Sequence, residues 1–338
     1  MEHRHSTTAL NERRHHRCRG VNIEPSPSSL LLTVNLQYMA GYLSDTIDAG
    51  IDQLTGVESK DIVISQETNL AIRIYIPKSV VPNHKLPILI YYHGGAFMTE
   101  SFASSTYHPT LNLITMESNV ISVSIDYRLA PEYPIPIPYE DSWEATKWVA
   151  NHNGGNGPEA WLNDYADFKN VFLAGDSSGA NIAHNMAIRV GLSPTNSVND
   201  INLKGVIMLH PYFGGKDPIG EESGKDRDFK ALVDLAWKLA CPLHIGLDDP
   251  LFNPAMDPLI SNFGCSKRLV YVGEKDKLKV RGLNYKKVME NSAWKGRVEL
   301  MESKGGRHVF FLFNPSSENA RILRKRICSF INPIRSKA

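Results

Sequence analysis

The sequence predicts an α/β protein with a mostly parallel central sheet, flanking helices and a helical cap. Three observations predict it. Short apolar runs rich in β-formers alternate with segments of helical period through most of the 338 residues. Several runs are apolar at successive positions, as strands are when helices cover both faces of a parallel sheet. Between 214 and 254 the rhythm breaks into a polar, turn-rich block that is too long for a simple connection and reads as an inserted cap segment.

The elements follow in order. Asp61 to Pro77 holds two strands, IVIS and AIRIYIP, split by the polar turn QETN. Leu86 to Tyr92 (LPILIYY) and Asn119 to Tyr127 (NVISVSIDY) are further apolar strands. Trp143, Ala145, Trp148 and Val149 recur at helical spacing in a helix over Asp141 to Asn151. A short strand, Val171 to Ala174, leads through GDSSGA into a helix carrying Ile182, Met186 and Val190. Leu203 to Leu209, Arg268 to Val272 and the VELME run are later strands, and a helix closes the chain. In the inserted block, Ala231 to Ala240 (ALVDLAWKLA) is an amphipathic helix whose Leu232, Leu235, Ala236 and Leu239 share a face. That face is expected over Ser177, just past the Val171 to Ala174 strand, and the polar stretch Lys216 to Asp228 is expected to be mobile. The domain reading is a basic disordered tail over 1–20, an N-terminal cap segment over 21–55 and a main α/β domain over 56–335 containing the 214–254 insertion.

Composition narrows the function. There are 37 Lys+Arg against 36 Asp+Glu, so the concentrated basic charge typical of nucleic-acid binders is missing. The first 20 residues carry five Arg and four His against two Glu, which leaves the remainder slightly acidic. This opening reads as a solvated tail, with an Arg-rich organelle-targeting segment or a misjudged start site as the alternatives. No apolar stretch reaches the roughly 18 residues of a membrane span. Cys18, Cys241, Cys265 and Cys328 are far apart, which is neither a disulfide framework nor a metal signature and fits a reducing, cytoplasmic setting.

The chemistry concentrates at four places. Gly175-Asp176-Ser177-Ser178-Gly179 matches G-x-S-x-G between an apolar strand and a helix, the setting in which a tight turn presents a nucleophilic serine. His93-Gly94-Gly95-Ala96-Phe97 directly follows the LPILIYY strand. The N–H groups of Gly94, Gly95 and Ser178 are the expected oxyanion donors, and His93 is expected to order that loop by hydrogen bonding. A serine nucleophile needs a base, and the base needs an acid to fix its tautomer. In the order serine, acid, histidine, Asp276 at the end of RLVYVGE is the acid and His308 in GGRHVFFLF the base. Glu274 and Lys275 flank Asp276 at less natural positions, and His210 and His244 fall in the wrong part of that order.

YYHGGAF (91–97), DYRLAPEYPIPIPYEDSWEA (126–145), FLAGDSSGANIAHN (172–185), VGEKDKLKVRG (272–282) and RHVFFLFNP (307–315) together resemble plant carboxylesterases of the hormone-sensitive-lipase-like (GDXG) group. The resemblance runs from about Gly56 to Ile331 and implies the α/β-hydrolase fold. Position by position, it marks Ser177, Asp276 and His308 as a triad and His93, Gly94 and Gly95 as the oxyanion segment, with Asp126 and Arg128 as scaffold. Two features depart from it: Ala96 replaces the third glycine of the usual HGGG, and the first 55 or so residues do not look like the group's usual opening.

The expected function is therefore a serine carboxylesterase acting on a small-molecule ester, with no metal, cofactor, nucleic acid or membrane partner. Some plant relatives use this scaffold as lyases, such as 2-hydroxyisoflavanone dehydratase, so a dehydratase or cyclase is the alternative. The gibberellin receptors resemble these enzymes but lack the triad histidine, and His308 argues against a receptor-like binding role.

Overall fold

The computed structural model describes residues 44–81, 84–193 and 202–333. The expected basic tail over 1–20, and the 21–55 segment as far as residue 43, lie outside the described residues.

Eight strands form one sheet: β1 (Glu58–Ser65), β2 (Leu70–Ile76), β3 (Leu86–Tyr92), β4 (Ile121–Asp126), β5 (Ala166–Asp176), β6 (Leu203–Leu209), β7 (Lys267–Gly273) and β8 (Arg297–Ser303). Their order across the sheet is β1-β2-β4-β3-β5-β6-β7-β8. β1/β2 and β2/β4 pair antiparallel and every later pair is parallel. The side chains explain why both faces are covered. Along β3, Ile88, Ile90 and Tyr92 join one core cluster while Leu89 and Tyr91 join the other. β6 and β7 divide in the same way, with Val206, Met208, Val270 and Val272 opposite Ile207, Leu209, Leu269 and Tyr271. Alternate residues pointing to opposite faces, with both sets apolar, require a layer on each side.

Helices supply those layers: α1 (Tyr107–Ser118), α2 (Ile137–Ala150), α3 (Ala160–Tyr165), α4 (Ser178–Leu192), α5 (Arg227–Ala240), α6 (Lys279–Asn291), α7 (Phe310–Phe313) and α8 (Glu318–Ile331). α1 and α8 cover one face, and α2 and α4 the other. No described helix is long and apolar enough to cross a membrane. Four helices, α1, α3, α6 and the short α7, are not predicted by the sequence. α1 has no apolar stripe because its buried positions include His108, Thr110, Asn112 and Thr115, each with at least one polar partner. His108 meets Arg73 and Tyr75, for example, and Thr115 donates to Ser122.

The inserted block is better anchored than its polarity suggests. The buried Arg281 of α6 donates to Glu222 Oε1 at 2.8 Å and to the carbonyls of Gly214 and Asp217 at 3.0 and 2.8 Å. These contacts tie the stretch over Lys216 to Asp228, expected to be mobile, to α6. The amphipathic helix begins at Arg227, four residues earlier than expected. Its buried residues are Val233, Ala236, Trp237 and Ala240, whereas Leu235 is 38% exposed. The expected face is therefore rotated. Trp237, stacked on Phe252 with ring centroids 4.8 Å apart, sets the helix on the domain and turns Leu235 outward.

Candidate active site

Each predicted site residue lies just beyond the carboxyl end of a parallel strand, where open α/β sheets bind ligands. The His93–Gly95 segment follows β3, Ser177 follows β5, Asp276 follows β7 and His308 follows β8. Ser177 has φ 50° and ψ −120°, a strained turn that projects its side chain before α4 begins. The turn depends on close backbone approach on either side. A Cβ on Gly175 would lie 2.4 Å from Gly179, and one on Gly179 would lie 2.0 Å from the Tyr92 carbonyl oxygen.

The sequence-predicted residues meet in one hydrogen-bonded chain. Ser177 Oγ lies 3.1 Å from His308 Nε2, and His308 Nδ1 lies 2.9 Å from Asp276 Oδ2. Asp276 Oδ1 accepts the Leu278 N–H at 2.9 Å. An ionised carboxylate only accepts hydrogen bonds, so His308 carries its proton on Nδ1 and leaves Nε2 to accept from the serine hydroxyl. Burial alone would lower the His308 pKa, but the charge and hydrogen bond of Asp276, with Asp176 behind, raise it above the usual 6.5. For Asp276 burial acts upward, and the two neighbouring imidazoles more than reverse it, holding the carboxyl well below its ordinary range.

In the glycine loop the expected donors differ in their partners. The Gly94 N–H donates to Tyr107 Oη at 2.8 Å, so this expected oxyanion donor is already engaged. Among the described residues, the N–H groups of Gly95, Ala96 and Ser178 have no hydrogen-bond acceptor in the protein. Gly95 and Ala96 have φ of 99° and 55°, and a Cβ on Gly95 would fall 2.2 Å from the Thr99 carbonyl oxygen. His93 lies behind the loop. Its ring stacks on Tyr127 at 4.2 Å, its Nδ1 lies 2.8 Å from the Gly94 carbonyl oxygen, and burial lowers its pKa to about 4.

Four polar residues to which the sequence assigns no role complete the surroundings. Asp176 accepts hydrogen bonds from Tyr91 and Tyr107, each at 2.9 Å, and burial raises its pKa to about 6 despite them. Tyr107 thereby links the carboxylate beside Ser177 to Gly94. Asp176 was visible in the motif, but the tyrosines come from β3 and the unassigned α1. His210, set aside for its place in the chain order, has Nδ1 2.7 Å from the same Asp276 oxygen that His308 uses. Arg128 makes a two-pronged ion pair with Asp141 at 2.9 and 2.7 Å, and Asp126 accepts the Phe102 N–H; neither reaches the serine. His244, the other histidine set aside, only caps its own turn through Gly246 N–H.

A cavity of about 390 Å³ opens over Ser177. Gly95, Tyr107 and His308 line its base, and Phe229, Leu232 and Ala236 of α5 line its apolar wall. Among the described residues, ligand atoms of His210, Asp276 and His308 converge within 4.8 Å, the spacing of a metal set. Both Nδ1 atoms, however, lie at hydrogen-bond distance from a carboxylate oxygen. Each is thus an N–H donor with no lone pair for a metal.

Comparison with known proteins places the fold. Residues 89–312 match the alpha/beta hydrolase fold family. The chain belongs to that family. Residues 45–131 also match the carboxylesterase family. This α/β-hydrolase is 45% identical over 287 residues to probable carboxylesterase 2 of Arabidopsis thaliana, covering 84% of this chain and 88% of that protein. It is 41% identical over 286 residues to 2-hydroxyisoflavanone dehydratase of Glycine max, covering 83% of this chain and 89% of the relative. The fold of the hydrolase also resembles a hyperthermophilic esterase from the archaeon Pyrobaculum calidifontis, with a TM-score of 0.67 at 23% identity over 90% of both chains. Its eight-stranded, mostly parallel sheet with helices on both faces is thus the sheet of an α/β-hydrolase.

Proposed function

We propose that the protein is a serine carboxylesterase acting on small carboxylic esters. The observation that carries this reading is the Ser177–His308–Asp276 chain, at 3.1 and 2.9 Å, at the base of a cavity bordered by free backbone donors. His308 Nε2 takes the Ser177 proton as Oγ attacks the acyl carbon. Asp276 keeps the ring in the required tautomer and stabilises the imidazolium that forms. The N–H groups of Gly95, Ala96 and Ser178 bind the tetrahedral oxyanion. His308 returns the proton to the departing alcohol, then activates the water that releases the acid from Ser177. The scheme uses no metal or cofactor. A panel of p-nitrophenyl esters of increasing acyl length tests it: the wild type should hydrolyse the short members and Ser177→Ala should fall to background. Unchanged turnover in that variant would refute the mechanism.

A second reading rests on the dehydratase relative. There, His308 and the backbone donors would act on a hydroxylated substrate without an acyl–Ser177 bond. A 2-hydroxyisoflavanone run in the same panel separates the two, because dehydration that survives Ser177→Ala alongside absent ester hydrolysis would favour the lyase.

A further inference from the structure

Asp276 is held by two histidines, and the esterase mechanism uses one. His210 follows β6 with its side chain fully buried and φ 49°, in the left-handed region where a residue other than glycine is uncommon. Its N–H donates to the Tyr271 carbonyl at 2.7 Å, fixing the backbone against β7. Its Nδ1 lies 2.7 Å from Asp276 Oδ2, and its Nε2 has no partner among the described residues. A neutral ring protonated on Nδ1 fits both facts, since a protonated ring would leave a buried N–H without an acceptor. The surroundings hold it there: the His308 ring stands edge-on at 5.7 Å, with Phe310 at 5.6 Å and Phe311 at 6.0 Å. A Cβ on Gly273 would come within 3.0 Å of its Cε1. Asp276 and Tyr271 from β7 and its following loop, and His308 from the loop after β8, are the titratable groups facing it.

We infer that His210 is a positioning residue for the reaction, fixing Asp276 by a second N–H donor on the oxygen that orients His308. The inference rests on the proposed Ser177–His308–Asp276 mechanism. With Leu278 N–H on Oδ1 and both imidazoles on Oδ2, the carboxylate has three donors and cannot turn without losing one. Removing the His210 donor frees the carboxylate to rotate, and the aim of His308 Nε2 at Ser177 loosens with it. The same removal concentrates negative charge on Oδ2, so His308 becomes more basic.

The test compares His210→Phe, which fills much of the ring's space without a donor, with His210→Asn. Asparagine tolerates φ above zero and carries an N–H close to the position of Nδ1. Asp276→Asn is the control. In folded His210→Phe, kcat on a short p-nitrophenyl ester should fall about 10-fold or more with KM nearly constant, as misaimed groups do. The acid limb of its pH–rate profile should move to higher pH, and His210→Asn should recover most of both effects. A folded His210→Phe with kcat within about twofold and an unmoved limb, or an asparagine variant as impaired as phenylalanine, would overturn the inference. If Asp276→Asn is equally harmless, the fault lies in the mechanism rather than in His210. Should the phenylalanine variant not fold, proton NMR of the wild type still decides. Two exchange-protected imidazole N–H signals that shift together in Asp276→Asn are expected, one of them surviving in His308→Ala, and loss of both there would end the proposal.

Discussion

Asp276 and His308 shift one another in opposite directions, and the signs can be measured. In the proposed mechanism His308 must be neutral to accept the Ser177 proton, and its pKa is raised from 6.5, so kcat/KM should fall as pH drops through a value above 6.5. A raised folded-state pKa also means that His308 contributes stability fully below its unfolded value, and this is lost as pH rises through the folded one. Activity and this share of stability should therefore run against each other across the same window in parallel rate and melting profiles. Asp276, held below its ordinary 3.8, contributes stability above that value that is lost as pH falls through the depressed one. Asp276→Asn should stay folded and lose on the order of 10⁴ in turnover, as the equivalent change does in a serine protease. Glu274→Gln, whose carboxylate only receives the Gly305 N–H, should be mild. Tyr107→Phe tests the bridge from Asp176 to Gly94. It removes one donor and one acceptor at once, and kcat should fall with little change in KM. A rise in KM alone would instead place Tyr107 in substrate binding.

At the level of elements, the cap helix shows where patterning succeeds and where it stops. Its amphipathic character was legible, but a helical wheel ranks Leu235 with Leu232, and only packing separates them. Leu232 lines the cavity over Ser177, whereas Leu235 is partly exposed because Trp237 and Val233 anchor the neighbouring stripe. Leu232→Ala should widen acyl-chain tolerance on the ester panel. Leu235→Ala should change neither selectivity nor stability by more than about 0.5 kcal/mol. A selectivity change from Leu235 with none from Leu232 would restore the original face. The insertion's anchor gives a second expectation. Arg281→Met leaves the Glu222 carboxylate buried and unpaired, so it should cost about 3–5 kcal/mol. A urea melt reads this directly.

Across the whole molecule, the parallel strands were legible because β3, β6 and β7 carry apolar side chains on both faces, a signal that needs no tertiary information. The meeting of Ser177, Asp276 and His308 was legible because motif, strand end and chain order agree. α1 was not, because its buried face is polar and becomes consistent only when Arg73, Tyr75 and Ser122 are brought to it. The occupied Gly94 N–H and the contact of His210 with Asp276 were hidden for the same reason, since each depends on a partner from another element. What joins these parts is the claim that Ser177 is the nucleophile. The most direct test is stoichiometric labelling with a serine-directed organophosphate, followed by peptide mass spectrometry and by loss of ester hydrolysis in step with labelling. The account predicts one adduct per chain, on Ser177, and none in His308→Ala on the same timescale. An adduct on another serine, or full activity after complete labelling of Ser177, would contradict it.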